Sequence, residues 1–174
     1  MVEKQQHSAS KMNKVKKTEN TKTTSTTSTT STSGQKLAVI LVRGLARVKK
    51  DIKDTLIMMQ LTKRNRCVII ENNPLNKGML QKAKDYITWG EISDETFGQL
   101  VAQRGVELES PLMDRKELYT YKHLDVDGKK YKKYFSLNPP RKGFGRKGVK
   151  MPFNLGGGLG YRGEKINDLI ARMI

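Results

Sequence analysis

The sequence predicts a small domain of alternating strands and helices, preceded by a polar leader and followed by a basic extension that ends in a helix. Three observations carry that expectation. Between residues 35 and 109, short apolar runs alternate with amphipathic stretches in the order strand, helix, strand, helix, strand, helix. Residues 1–34 hold almost nothing that could be buried, and residues 21–33 are nearly pure Ser and Thr with Lys22 as the only charge. Residues 110–174 carry a net charge of +9 from fifteen basic and six acidic residues, yet close on Ile166, Leu169, Ile170 and Met173, which share one helical face.

Each element follows from its residues. The leader, net +4 from six Lys and two Glu, cannot offset its ordering entropy and is expected to be an unfolded, solvated tail. Residues 37–42 form a continuous apolar run short enough for a buried strand. Ile52, Leu56 and Met59 recur at helical spacing before Thr62-Lys63-Arg64-Asn65 breaks the pattern. Cys67-Val68-Ile69-Ile70 is a second buried strand, which makes the single cysteine a core residue. After the Asn72-Asn73-Pro74 turn, Met79, Leu80, Ala83 and Ile87 mark one face of a second helix, and Trp89-Gly90-Glu91-Ile92 reads as a short third strand, whose lone Trp89 is read as core ahead of the alternative, a stacking platform. Ser93 caps a third helix that buries Phe97, Leu100 and Val101, and Gly105 is expected to stop it in a left-handed conformation. The terminal apolar face needs a partner, most simply the core, so the basic region before it is expected to be a tethered loop.

Composition narrows the function. The 174 residues carry a formal net charge of +17, 34 Lys and Arg against 17 Asp and Glu, and that much uncompensated charge points to a polyanionic partner. One cysteine excludes an internal disulfide and a cysteine-based zinc site. No apolar stretch reaches the roughly 18 residues of a membrane span, and no hydrophobic stretch follows the N-terminal basic residues as in a signal peptide. The expectation is a soluble protein of a reducing compartment such as the cytoplasm, with no membrane, cofactor, metal or small-molecule substrate.

The strongest functional signal runs from Gly128 to Gly163, which holds ten basic residues and no acidic one: Lys129, Lys130, Lys132, Lys133, Arg141, Lys142, Arg146, Lys147, Lys150 and Arg162. A solvated surface normally mixes signs. A one-signed stretch interleaved with Tyr131, Tyr134, Phe144, Phe153 and Tyr161 offers phosphate contacts and stacking surfaces together. Within it, Pro139-Pro140-Arg141-Lys142-Gly143-Phe144-Gly145-Arg146-Lys147-Gly148 combines extended Pro residues with glycines that let the backbone approach a groove. A second basic set, Arg43, Arg47, Lys49, Lys50, Lys63, Arg64 and Arg66, surrounds the first helix; with Asp51 and Asp54 among it, ordinary solvated helix ends explain it equally well.

Other motifs lose to simpler readings. Gly158-Leu159-Gly160-Tyr161-Arg162-Gly163 matches the dinucleotide glycine fingerprint in form, but no buried strand precedes it and the acidic residue about 20 positions on is missing, so a Gly-rich loop facing RNA is the better reading. Asp125-Val126-Asp127-Gly128 would place His123 and Tyr134 at calcium-ligand positions, which neither suits; a hairpin turn at Asp127-Gly128, between residues 121–124 and 131–134, explains it. His7 and His123 form no metal pair or catalytic dyad.

At this point several blocks, in order, resemble a known family. Residues 37–44 are similar to its opening strand with a basic-glycine exit, and Lys77-Gly78-Met79-Leu80-Gln81-Lys82-Ala83-Lys84-Asp85-Tyr86-Ile87-Thr88-Trp89-Gly90 resembles its central segment. Leu137-Asn138-Pro139-Pro140-Arg141-Lys142-Gly143, Gly148-Val149-Lys150, residues 156–163 and Glu164-Lys165-Ile166-Asn167-Asp168-Leu169-Ile170 look like successive C-terminal blocks of its long form. The family is that of the large-subunit ribosomal protein numbered thirty in the bacterial scheme and seven in the eukaryotic one, in its longer archaeal and eukaryotic form. The resemblance implies an α+β fold, a small sheet of three antiparallel strands with helices on one face, related to the ferredoxin-like arrangement. It also implies contacts with large-subunit ribosomal RNA and with neighbouring large-subunit proteins, and Lys77 and Lys82 of the central segment join the candidate contact residues. The Ser/Thr-rich leader departs from short archaeal members, which start almost at the first strand.

The implied role is a non-catalytic structural component of the large subunit that supports assembly and translation. A free-standing RNA-binding or RNA-processing protein is the alternative. An enzyme on nucleic acid would need a carboxylate cluster or cofactor pocket, which the basic stretch lacks, and a DNA-binding module would need a recognition-helix pair joined by a tight turn.

Overall fold

The structure, a computed structural model, describes residues 35–109 and 122–174. The expectation of an unfolded leader over residues 1–34, and the Tyr121 end of the expected hairpin, lie outside the described residues.

The apolar run forms β1 (Lys36–Leu41), and Ala38, Val39, Ile40 and Leu41 are fully buried. A run without polar alternation is what a strand covered on both faces requires. Helix α1 (Lys50–Met58) follows, then β2 (Arg66–Glu71), α2 (Pro74–Lys82), β3 (Ile87–Glu91) and α3 (Asp94–Arg104). β2 and β3 each pair antiparallel with β1, one on either side. On one face Leu37, Val39 and Leu41 pack with Leu56, Met59, Leu61, Leu80 and Ala83 of α1, α2 and the residues just beyond them. On the other, Ala38 and Ile40 pack with Leu100 and Val101 of α3 and with Ile166, Leu169, Ile170 and Met173 near the C-terminus.

The rest of the chain adds a hairpin, β4 (His123–Val126) with β5 (Lys129–Lys132), then β6 (Tyr134–Ser136), β7 (Gly160–Tyr161) and α4 (Ile166–Ala171). β6 pairs antiparallel with β2 and β7 pairs parallel with β3, giving a mixed five-stranded sheet in the order β6-β2-β1-β3-β7. The fold is α+β, but the implied arrangement of three antiparallel strands with helices on one face needs correction. The antiparallel trio is the centre of a larger sheet, and helices lie on both faces. The edge strands Tyr134-Phe135-Ser136 and Gly160-Tyr161 are too short to show any periodicity.

Two local expectations are also corrected. Ile87 is not on the second helix: α2 ends at Lys82, Tyr86 N–H bonds Ala83 O in a turn, and Ile87 opens β3 opposite Leu41. Its spacing from Ala83 matched a helix by coincidence of turn length. Gly105 is extended (φ −67°, ψ 128°), not left-handed. Glycine is required there by space, since a Cβ would overlap the Val101 carbonyl and sit 3.1 Å from the Tyr131 ring. Ser93 caps α3 as read, its Oγ accepting from Thr96 N–H at 3.4 Å, with Asp94 and Glu95 suiting the positive end of the helix. The hairpin turn is at Asp127 (φ 50°) and Gly128 (φ 77°), the two positive values a two-residue turn of this hand needs. α4 has six residues, too few to persist alone; burial of Ile166, Leu169, Ile170 and Met173, worth about 1.5–3 kcal/mol each, holds it.

Candidate nucleic-acid interface

Strand register decides where the cations go. Cys67 lies opposite Ile40 and Ile87 opposite Leu41, so β2 and β3 both begin at the end of the sheet where β1 leaves it. The connections there are laced together: Asn65 N–H donates to Leu41 O (2.8 Å), Val42 and Arg43 N–H to Tyr86 O (3.0 and 3.1 Å), and Leu137 N–H to Asn65 O (3.0 Å). β6 ends and β7 begins at this same end, since Ser136 faces Arg66 and Gly160 faces Thr88. Residues 137–159 therefore leave the sheet at one edge and re-enter it at the other, both times at the end where β1 exits.

That end gathers two basic sets distant in sequence. Arg47, Lys49 and Lys50 on the exit from β1, Lys63 and Arg64 before β2, and Lys82 at the close of α2 are exposed. So are Arg141, Lys142, Gly143, Arg146, Lys147 and Lys150 on the returning segment. Arg43 is half-buried, donating to Asp85 O (3.1 Å) and lying 4.9 Å from the Tyr86 ring centroid. Arg66 is held inward by Thr62 Oγ1 (2.6 Å) and the Tyr134 ring (3.8 Å).

The segment 137–159 has a fixed shape although it is almost free of regular structure. Arg141 N–H donates to Arg172 O (3.1 Å), the Arg172 guanidinium donates back to Arg141 O (3.0 Å) and Gly143 O (3.1 Å), and Lys147 N–H donates to Gly156 O (3.0 Å). Phe144 is half-buried against the core. Backbone and interior side chains thus order the loop while its exposed cations pair with no carboxylate among the described residues, so less ordering entropy remains to be lost on binding.

Two expected contacts sit elsewhere. Gly157 and Gly158 are buried; a Cβ on Gly157 would overlap the Met151 carbonyl, and one on Gly158 would come 2.9 Å from the Phe144 Cβ. Residues 157–159 are the inside of the loop, whereas Gly156 and Tyr161 of the same run are exposed. Arg162 is only 7% exposed. Its Nε donates to Thr88 Oγ1 (2.8 Å), its Nη2 to Phe144 O (2.7 Å) and Gly158 O (3.2 Å), and its guanidinium lies 4.5 Å from the Phe153 ring centroid. Burial, with the nearby Arg172 charge, pushes this guanidinium down to about 10, which leaves it charged at neutral pH.

A third group is kept apart. Residues before Tyr134, which faces Val68, lie toward the far end of β2. Lys129 and Lys130 are exposed on the hairpin, with Lys129 Nζ paired to Glu107 Oε1 (2.9 Å), and Lys132 and Lys133 are half-buried. Lys132 N–H donates to Val106 O, tying the hairpin to the residues after α3. Lys77 is exposed on α2, next to Asn76, which bonds Glu71 O at that far end.

The family profile described as ribosomal protein L30p/L7e matches residues 37–87, from β1 to the start of β3. The large ribosomal subunit protein uL30 of Methanopyrus kandleri is 43% identical, over 76% of this chain and 100% of that protein. That of Nanoarchaeum equitans is 43% identical over 79% of this chain and 97% of its own length, and that of Methanosphaera stadtmanae 42% over 79% and 99%. The chain belongs to the ribosomal protein L30p/L7e family. The likeness to these L30p/L7e relatives reaches well beyond the residues the profile matches.

Sequence reasoning missed some of what this L30p/L7e chain uses to build its basic end. Lys84 is exposed in the turn before β3, one residue from the Asp85 carbonyl that holds Arg43. Arg172, read only as part of a terminal helix, ties that helix to the returning loop; its position four residues after Asp168, with which it pairs at 3.3 Å, was the available signal. Cys67 is buried and its thiol pushed up to about 12 by that burial, so it is inert at neutral pH. Among the described residues no group of His, Cys, Asp or Glu could hold a metal ion, and no helix is long and apolar enough to cross a membrane.

Proposed function

We propose that this chain is a structural constituent of the large ribosomal subunit and binds ribosomal RNA with the end of its sheet where β1 exits. The observation that supports it most is the convergence there of cations from three core connections with those of segment 137–159. The relatives' shared name, large ribosomal subunit protein, supports the choice of particle. On this reading the role is binding and phosphate screening rather than catalysis, carried out in the ribosome beside neighbouring large-subunit proteins. The exposed cations of the β1-exit end, Arg47, Lys49, Lys50, Lys63, Arg64 and Lys82 with those of segment 137–159, meet the phosphate backbone, and Lys129 and Lys130 meet a separate stretch of RNA or a protein neighbour. The antiparallel β2-β1-β3 centre with α1 and α2 on one face supports a relation to the ferredoxin-like arrangement.

Sucrose-gradient sedimentation of cell extract tests the assignment. The chain should follow the large-subunit peak and stay with it through moderate salt. Recovery only in light fractions would favour a free-standing RNA-binding protein.

A further inference from the structure

Trp89 and Tyr161 sit side by side at the β3–β7 edge, and they are not closed over. The strands pair in parallel register there, Trp89 opposite Tyr161. The two rings lie 6.4 Å apart at 48°. Trp89 backs onto the α1–α2 core cluster, whereas Tyr161 is 53% exposed. The Tyr161 hydroxyl donates to Glu91 Oε1 (2.7 Å), which fixes the ring's orientation and raises its pKa. A cavity of about 400 Å³ opens over the pair, walled by Gln81 and Lys84 on one side and Lys150 and Phe153 on the other. A second, of about 300 Å³, continues from Trp89 and Tyr161 toward Lys77. Lys77, Lys84 and Lys150 are exposed and none is in an ion pair among the described residues.

We propose that the Trp89–Tyr161 pair is a stacking platform for one nucleobase turned out of an RNA helix, with Lys77, Lys84 and Lys150 placed around it for the flanking phosphates. The proposal rests on the RNA-binding reading above and names a site within it. An aromatic ring anchored by its own hydroxyl, with one face open and cations at the rim, is the arrangement that unstacked bases use, since every base presents a π-face and the backbone beside it is anionic. Asp85 and Glu91 also border the two cavities. Glu91 keeps its charge while accepting from the Tyr161 hydroxyl, and the three lysines outnumber the two carboxylates.

Trp89 is the only tryptophan, so its emission reports this site alone. The full-length chain is titrated with an RNA hairpin carrying one bulged adenosine and with the same hairpin fully paired, following both Trp89 emission and the anisotropy of labelled RNA. The bulged hairpin should quench the emission and the paired one should not. Tyr161→Ala should weaken binding of the bulged hairpin about tenfold and leave the paired one nearly unchanged, whereas Tyr161→Phe, which keeps the ring, should bind within about twofold of the parent. Thermal melts of both variants establish that they fold. If both hairpins bind but emission is unchanged and Tyr161→Ala has no effect, the platform is wrong while the RNA reading stands. If, in that case, Tyr161→Ala still lowers recovery in the large subunit, the ring faces a protein neighbour. If neither hairpin binds at all, the underlying RNA reading fails too.

Discussion

Replacing Arg141, Lys142, Arg146 and Lys147 together with Gln is expected to weaken binding to large-subunit RNA by on the order of 10²–10³ at physiological salt and to lower the slope of log affinity against log salt by about 4. Each cation against a phosphate releases roughly one condensed counterion, so the slope counts contacts whatever their sequence context. All four side chains are exposed, and the bonds that shape their loop come from its backbone and from Arg172. The substitutions therefore leave the fold intact, and removing four like charges relieves repulsion in the free protein. Filter binding across a salt series, beside a thermal melt, checks both halves. A slope unchanged within error in a protein that melts normally would move the RNA surface off this loop.

How far the sequence could foresee this site depends on the range over which each signal acts. The continuous run Leu37-Ala38-Val39-Ile40-Leu41 carried its own conclusion, because a strand covered on both faces has no room for alternation. The helices found on both faces agree with that run, whereas the resemblance implied helices on one face only. The acid-free stretch was equally plain as a count of charges. What could not be read was which cations share a surface. Lys129 and Arg141 are twelve residues apart and of one sign, yet they separate because the hairpin precedes β6 and the loop follows it. Arg64 and Arg141 are far apart in sequence and converge because Leu137 pairs with Asn65. Such facts live in strand register, which a three-residue strand such as Tyr134-Phe135-Ser136 does not announce. Arg162 is the sharpest case: inside a basic, glycine-rich run its burial has no sequence signature, since the residues that enclose it, Thr88, Phe144 and Gly158, come from three places.

Arg162→Met is expected to destabilise the protein by about 2–4 kcal/mol, and to lower RNA affinity without changing its salt slope. The side chain's body can be replaced, but the Phe144 and Gly158 carbonyls lose their donor inside the loop, at a cost of about 1–3 kcal/mol each. Relief of the buried guanidinium's desolvation offsets part of that loss, which keeps the net below the sum of the parts. Arg162→Lys retains the charge, but one ammonium cannot serve Thr88, Phe144 and Gly158 together, so it should fall between Met and the parent. Urea unfolding gives the stability and limited proteolysis within residues 141–158 reports the loosened loop. The salt slope separates the two roles open to this arginine. A residue that organises the loop alters affinity at every salt concentration alike, since the exposed cations still number the same. One that touches phosphate takes about one unit from the slope. A stable Met variant with a slope lower by one would return Arg162 to the RNA surface, and with it the expectation that the Gly-rich run faces outward.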